Sequence, residues 1–190
     1  LVEELSIPSS VTSLGNGAFN GNLLEGRSAF IYDLNDSTKI ISYAGKDKDV
    51  TIPSNVFNIG VGAFQSCGLT SVVIPDSVTT IDNQAFQDNK LINVLIPDSV
   101  TTLGQSAFQN NSLREVTIGR NVASMNGQNS AFLKNATSNS DLTTVHNLTG
   151  HSFDWGSMIN SSSSNGPTIG MTFDVGTVTN NYGNVTILGE

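Results

Sequence analysis

Residues 69–90 read LTSVVIPDSVTTIDNQAFQDNK, and residues 91–112 read LINVLIPDSVTTLGQSAFQNNS. IPDSVTT and AFQ fall at the same offsets in both segments. Working outward, VTIPSNVFNIGVGAFQSCG (50–68) precedes the pair, LREVTIGRNVASMNGQNSAF (113–132) follows it, and VEELSIPSSVTSLGNGAFNGN (2–22) opens the chain. Pro53, Pro75 and Pro97 are 22 apart, and Gly119 holds the next slot. Pro8 lies 45 before Pro53, so a divergent unit sits between them. Phe19, Phe64, Phe86 and Phe108 each fall 11 after their proline; Phe132 falls 13 after Gly119, placing two extra residues around NGQN. A unit of this length with spaced aliphatics is the signature of a leucine-rich-repeat solenoid.

The unit has a physical reading. Leu69, Val72 and Ile74 have LxxVxI spacing, matched by Leu91, Val94, Ile96 and by Leu113, Val116, Ile118. Alternate side chains of a strand share a face, so the Val and Ile point one way into a core. Proline cannot donate to a ladder and suits the strand end. Val78 and Ile81 turn inward again, as do Val100 and Leu103, and Val11 and Leu14. Ala-Phe then predicts a short helical or 3-10 turn on the opposite side, with Phe64, Phe86 and Phe108 stacked inside. One unit cannot bury its own apolar face; stacked units bury a continuous core.

The pattern IPxSVTxIxxxAFxxC, as in Ile52 to Cys67, resembles the BspA-like leucine-rich repeats of bacterial surface proteins. The resemblance covers about residues 1–135. AFIYDLNDSTKIISYAGKDKDVTIPSNV (29–56) resembles the family's interspersed hairpin, with two short strands around a polar turn. Cys67 occupies the family's core Cys slot, which the register gives elsewhere to Gly21 and Asn89. The resemblance implies a secreted or wall-attached protein with roles in adhesion and host-protein binding.

The expected architecture is a mostly β solenoid with a parallel strand ladder over residues 1–148. An atypical hairpin unit interrupts it at about 23–46. A C-terminal cap or tail covers 149–190. Within that tail, MTFDVGTVTNNYGNVTILGE (171–190) reads as a β-hairpin cap. LTTVHNL (142–148) keeps one last strand at repeat spacing, and SSSSNGP (161–167) is a surface segment. Phe153 and Trp155 are expected to cover the open end of the core. The opening LVEELSIP already lies inside the repeat pattern, which reads as a piece of a larger protein.

Composition excludes several partners. The chain carries 16 acidic and 8 basic residues, a net charge of −8. Eight scattered cations do not build a nucleic-acid footprint or a patch for anionic lipid. No apolar run approaches the roughly 20 residues that span a bilayer. With one cysteine, Cys67, no intrachain disulfide forms.

Chemistry-bearing residues read as structural. The register buries Cys67 beside Phe64, where a thiol is a small hydrophobe and not a nucleophile for His146 or His151. Two histidines five apart with no second cysteine complete no zinc site. DLNDSTK (33–39) places Asp33, Asn35 and Ser37 at alternate positions but has no Gly at the sixth, and Ala44 holds the twelfth, so it reads as a hairpin turn and not a calcium loop. Phosphate loops and nucleophile elbows are absent from the sequence. No catalytic residue, cofactor or metal is expected.

The outer face of the ladder is the candidate surface. Its positions are Glu4 and Ser6, Asp49 and Thr51, Ser71 and Val73, Asn93 and Leu95, Glu115 and Thr117, then Thr144 and His146. Ser71, Val73, Asn93, Leu95, Glu115 and Thr117 form the proposed protein-binding set, with an apolar centre and a polar rim. A six-strand ladder at about 4.8 Å spacing offers a strip of roughly 250 Å², against about 800 Å² for each partner of a standard interface. The expected function is a non-catalytic, extracellular, monomeric repeat domain that contacts an unidentified protein, a host protein among the candidates. The alternatives are a spacer holding another domain away from the wall, and an accessory carbohydrate-binding module. The last would need an exposed aromatic row from Trp155, Tyr32, Tyr43 or Tyr182.

Overall fold

A computed structural model describes residues 7–8, 10–24, 29–125, 130–132, 144–147, 172–173 and 186–187. The chain coils as a solenoid, and each repeat contributes short strands to two separate ladders. The interrupting unit supplies β1 (Phe30–Asp33) and β2 (Asp36–Tyr43). The next repeat gives β3 (Asp49–Thr51) and β4 (Asn58–Ile59), and the following one β5 (Ser71–Val73) and β6 (Thr80–Ile81). Two more give β7 (Asn93–Ile96) and β8 (Thr102–Leu103), then β9 (Glu115–Ile118) and β10 (Ser124–Met125). β11 (Thr144–Asn147), β12 (Thr172–Phe173) and β13 (Thr186–Ile187) follow.

The LxxVxI strands build the first ladder, as the alternation of Val and Ile requires. The second ladder was not expected from the sequence. It runs β1-β2-β4-β6-β8-β10 and is parallel from β2 onward. Its Thr-Ile and Thr-Leu segments are two residues long, too short to show a period of their own. They are extended because the neighbouring coil accepts their N–H groups: Asp82 donates to Ile59 (2.9 Å) and Gly104 to Ile81 (2.7 Å).

Between the ladders the repeat fills a core with matching columns. Ile52, Ile74, Ile96 and Ile118 are buried in one; Val56, Val78, Val100 and Val122 in the next. The phenylalanines stack as expected. Ring centroids of Phe64–Phe86 and Phe86–Phe108 are 5.0 Å apart and nearly parallel, and Phe108–Phe132 follows at 5.5 Å. The column extends one step past the repeats, because Tyr43 of the hairpin stacks on Phe64 at 5.2 Å. Phe19 does not join it. It packs with Leu14 against Leu24, Ile31, Ile41 and Ala44, on the other side of the hairpin.

The Ala-Phe segments are tight turns; one 3-10 turn, Ser130–Phe132, is present among the described residues. In four coils their shape follows from two left-handed residues. The residue before Ala has positive φ (Gly17, Gly62, Gln84, Ser106), and so does the second after Phe (Gly21, Ser66, Asp88, Asn110). A regular helix cannot pass through such residues. Alternate amides of the turn point along the solenoid instead: Gly62 donates to Asn83, Phe64 to Ala85 and Ser66 to Gln87, at 2.8 to 3.0 Å.

The slot three residues after each Phe is occupied by Asn22, Cys67, Asn89 and Asn111. Asn22, not Gly21, is therefore the counterpart of Cys67. Asn89 Nδ2 donates to the carbonyls of Phe64 and Phe86 at 2.8 and 3.0 Å, and its Oδ1 accepts from Leu69 N–H. Asn111 repeats the pattern on Phe86, Phe108 and Leu91. Each buried amide satisfies backbone groups that the turn would otherwise leave unpaired.

The hairpin forms where expected. β1 and β2 are antiparallel, with Phe30 opposite Tyr43 and Asp33 opposite Asp36. The polar turn is pinned by Asp33, whose Oδ1 accepts from Asn35 N–H at 2.9 Å.

The expected C-terminal hairpin is corrected. β12 and β13 are parallel to each other, and β12 is parallel to β11. A hairpin would reverse the chain. A strand that continues the coil reaches the open edge of the previous one in the same direction and satisfies its free backbone groups. The NNYGN turn, residues 161–167, Phe153, Trp155 and Tyr182 lie outside the described residues.

Candidate functional site: the outer face of the first ladder

The register fixes which side chains leave the core. β3 pairs with β5, setting Asp49 opposite Ser71 and Thr51 opposite Val73. β7 pairs with β9, setting Asn93 opposite Glu115 and Leu95 opposite Thr117. β9 pairs with β11, setting Thr117 opposite His146. Asp49, Thr51, Ser71, Val73, Asn93, Leu95 and Glu115 are exposed and Thr117 is half-buried, so the faces are assigned as the alternation required. Among the described residues, Val73 and Leu95 are the most exposed aliphatics of the strands, at 55% and 59%. Glu4 and Ser6 lie outside the described residues.

The ladder is not continuous. No backbone hydrogen bond joins β5 to β7, although the coils meet just before them, where Lys90 N–H donates to Leu69 at 2.8 Å. Val73 and Leu95 therefore do not form a bridged pair, as a continuous ladder would have made them. Val72 is half-buried, while Val50, Val94 and Val116 are buried. Val72, the half-buried member of its column, sits on the strand that has no bonded neighbour on this side. A shallow slot of about 320 Å³ opens at the break. It is lined by Ser71, Val72, Asn93, Leu95, Glu115 and Thr117, together with Val94. Five of the six expected site residues meet there; Val73 is not among them.

Charge sits toward both ends of this face, with Asp49 on β3 and Glu115 on β9. Glu115 Oε1 lies 3.5 Å from His146 Nε2. Sequence reasoning missed Ile92, which is 47% exposed immediately before β7. The signal was in the alignment: Thr70 and Arg114 hold the equivalent position, so the apolar Ile92 stands where its column is polar.

Cys67 lies elsewhere. It is buried, its thiol faces the carbonyls of Tyr43 and Gln65, and loss of hydration pushes its pKa up to about 11, partly offset by Lys48. His146 belongs to the ladder and His151 lies outside the described residues. Among the described residues no group of three His, Cys, Asp or Glu side chains converges on a metal position, and no helix is long and apolar enough to cross a membrane.

Residues 37–159 match six copies of the BspA type leucine rich repeat region. Among solved structures, a leucine-rich repeat protein from Bacteroides ovatus ATCC 8483 is similar at 18% identity, with a TM-score of 0.37. The match covers 78% of this chain and 46% of that one. No curated protein matches the chain.

Proposed function

The chain belongs to the BspA-type leucine-rich repeat family, and from that premise we propose that it is a non-catalytic binding domain. Repeat domains of this type often mediate protein–protein contacts. In the proposed role it lies outside the cell as part of a bacterial surface protein, is a monomer, and captures a protein for adhesion. The observation that carries the reading is the exposure of Val73 and Leu95 beside the slot at the β5–β7 break. Two outward aliphatics and Ile92, rimmed by Ser71, Asn93, Glu115 and Thr117, give an apolar centre with a polar border. Interfaces concentrate their energy in such centres.

The test replaces Val73 and Leu95 together by Asp. Both side chains leave the core, so the fold should survive. Two carboxylates would stand where a partner must exclude water, and affinity for a captured protein should fall by several kcal/mol. A folded double variant that binds as well as the wild type would move the site off this face.

A further inference from the structure

The hairpin lengthens one ladder and not the other. β1 and β2 extend the second ladder beyond β4, while among the described residues the first ladder begins at β3. The inner edge of β3 is engaged with β5: Lys48 carbonyl accepts from Ser71 N–H at 3.2 Å, and Ile52 N–H donates to Val73 carbonyl at 3.0 Å. In a parallel pair, successive residues turn their backbone groups to opposite sides. Lys48, Val50 and Ile52 therefore face β5. Asp49 and Thr51 aim their N–H and C=O the other way, where no strand among the described residues pairs with them.

A groove of about 710 Å³ runs along that free edge. One wall is β3 itself. The other is the hairpin, which presents Phe30, Tyr32 and Tyr43, with Asp47 between the two walls. Asp47 and Asp49 are exposed, and among the described residues no Lys or Arg lines the groove. The Asp49 carboxylate is held by Thr70 Oγ1 at 2.8 Å, and the Tyr43 hydroxyl donates to the Asp47 carbonyl at 3.2 Å.

We propose that this groove binds an extended, basic peptide segment of another protein, added as a strand to the free edge of β3. Backbone pairing with Asp49 and Thr51 supplies a sequence-independent grip. A Lys or Arg on the segment meets the two carboxylates while its stem lies along the half-buried Phe30 ring. The same carboxylates guard the edge against a second copy of this chain, whose net charge is −8. β3 spans three residues. At about 3.3 Å per residue it offers a footprint of roughly 10 Å, so the recognised element is a short motif.

A labelled eight-residue peptide alternating Val and Lys, capped at both ends, is the probe. Its binding should slow amide exchange at Asp49 and Thr51 and should weaken as salt rises. Replacing Lys by Glu, or methylating alternate backbone nitrogens, should lower affinity at least tenfold. Thr51→Pro deletes only an outward N–H and should have the same effect with the fold retained. Should Thr51→Pro unfold the chain, the methylated peptide decides. Asp47→Asn with Asp49→Asn should flatten the salt dependence. No binding, binding indifferent to backbone methylation, or protection at Val73 and Leu95 in place of Asp49 and Thr51 overturns the proposal. So does concentration-dependent protection of Asp49 and Thr51 without peptide, which would assign the edge to a second copy.

Discussion

Cys67 and Tyr43 meet under the first turn of the aromatic column, the thiol donating to the Tyr43 carbonyl at 3.6 Å. Burial is the main cause of a raised pKa in both. Cys67 moves from 9.0 to about 11, and Tyr43 from 10.0 to about 12, helped by the Asp47 charge. Both groups are neutral when protonated, so the folded state holds these protons more tightly than the unfolded chain. Their contribution to stability is complete below pH 9 and is lost as pH climbs through the raised values. Denaturation titrations should show stability falling between about pH 9 and 12. Cys67→Ala and Tyr43→Phe should each flatten that fall, whatever they do at pH 7; an unchanged slope would count against both assignments. The burial of Cys67 was legible from the AFxxC register. The amides that replace it were not, because a buried Asn reads as surface until its backbone partners are known.

At the level of the element, the coil of residues 113–132 lacks the proline of its neighbours. Gly119 takes that slot and donates its N–H to the Ile96 carbonyl at 2.9 Å. A Cβ at Gly119 would fall 2.5 Å from the Pro97 carbonyl. Restoring the repeat consensus with Gly119→Pro should therefore destabilise the protein, by about 2 kcal/mol or more in urea denaturation, through the lost donor and the clash. A neutral or stabilising result would mean the coils are spaced more widely than this. The LxxVxI strands and the hairpin of Phe30–Tyr43 were legible because each carries its own alternation. The Thr-Ile strands of the second ladder were not, since two residues contain no period and a neighbour's carbonyls hold them extended. The left-handed residues were half legible: Gly17 and Gly62 mark the position, but Gln84 and Ser106 occupy it in later coils.

Across the whole molecule, Asn20 ties three successive layers together. Its Oδ1 accepts from Ser42 Oγ and Tyr43 N–H at 2.7 and 3.0 Å, and its Nδ2 donates to the carbonyls of Gly62 and Gln65. The opening repeat also reaches the hairpin through the small cluster around Phe19, through Gly17 N–H donating to the Ile41 carbonyl at 2.8 Å and through Leu24 N–H donating to the Ala44 carbonyl at 2.7 Å. Repeat proteins open locally from their ends, because each unit contacts only its neighbours. Asn20→Ala should speed amide exchange over residues 10–24 by at least tenfold and leave the amides around Phe86 unchanged. Uniform acceleration would instead show one cooperative unit. The outer face was readable before the fold was known, because a period of two assigns Val73 and Leu95 to solvent once Val72, Ile74, Val94 and Ile96 are given to the core. The break between β5 and β7 was not, because the two repeats are nearly identical in sequence and neither marks where the pairing stops. By itself, then, the sequence determined the solenoid, its 22-residue step and the side chains that face outward, since these follow from local periodicity. Only the tertiary structure decided that there are two ladders, that one breaks beneath the candidate site, and that the other alone is lengthened by the hairpin. Those outcomes depend on hydrogen bonds between one coil and the next, which no local pattern records.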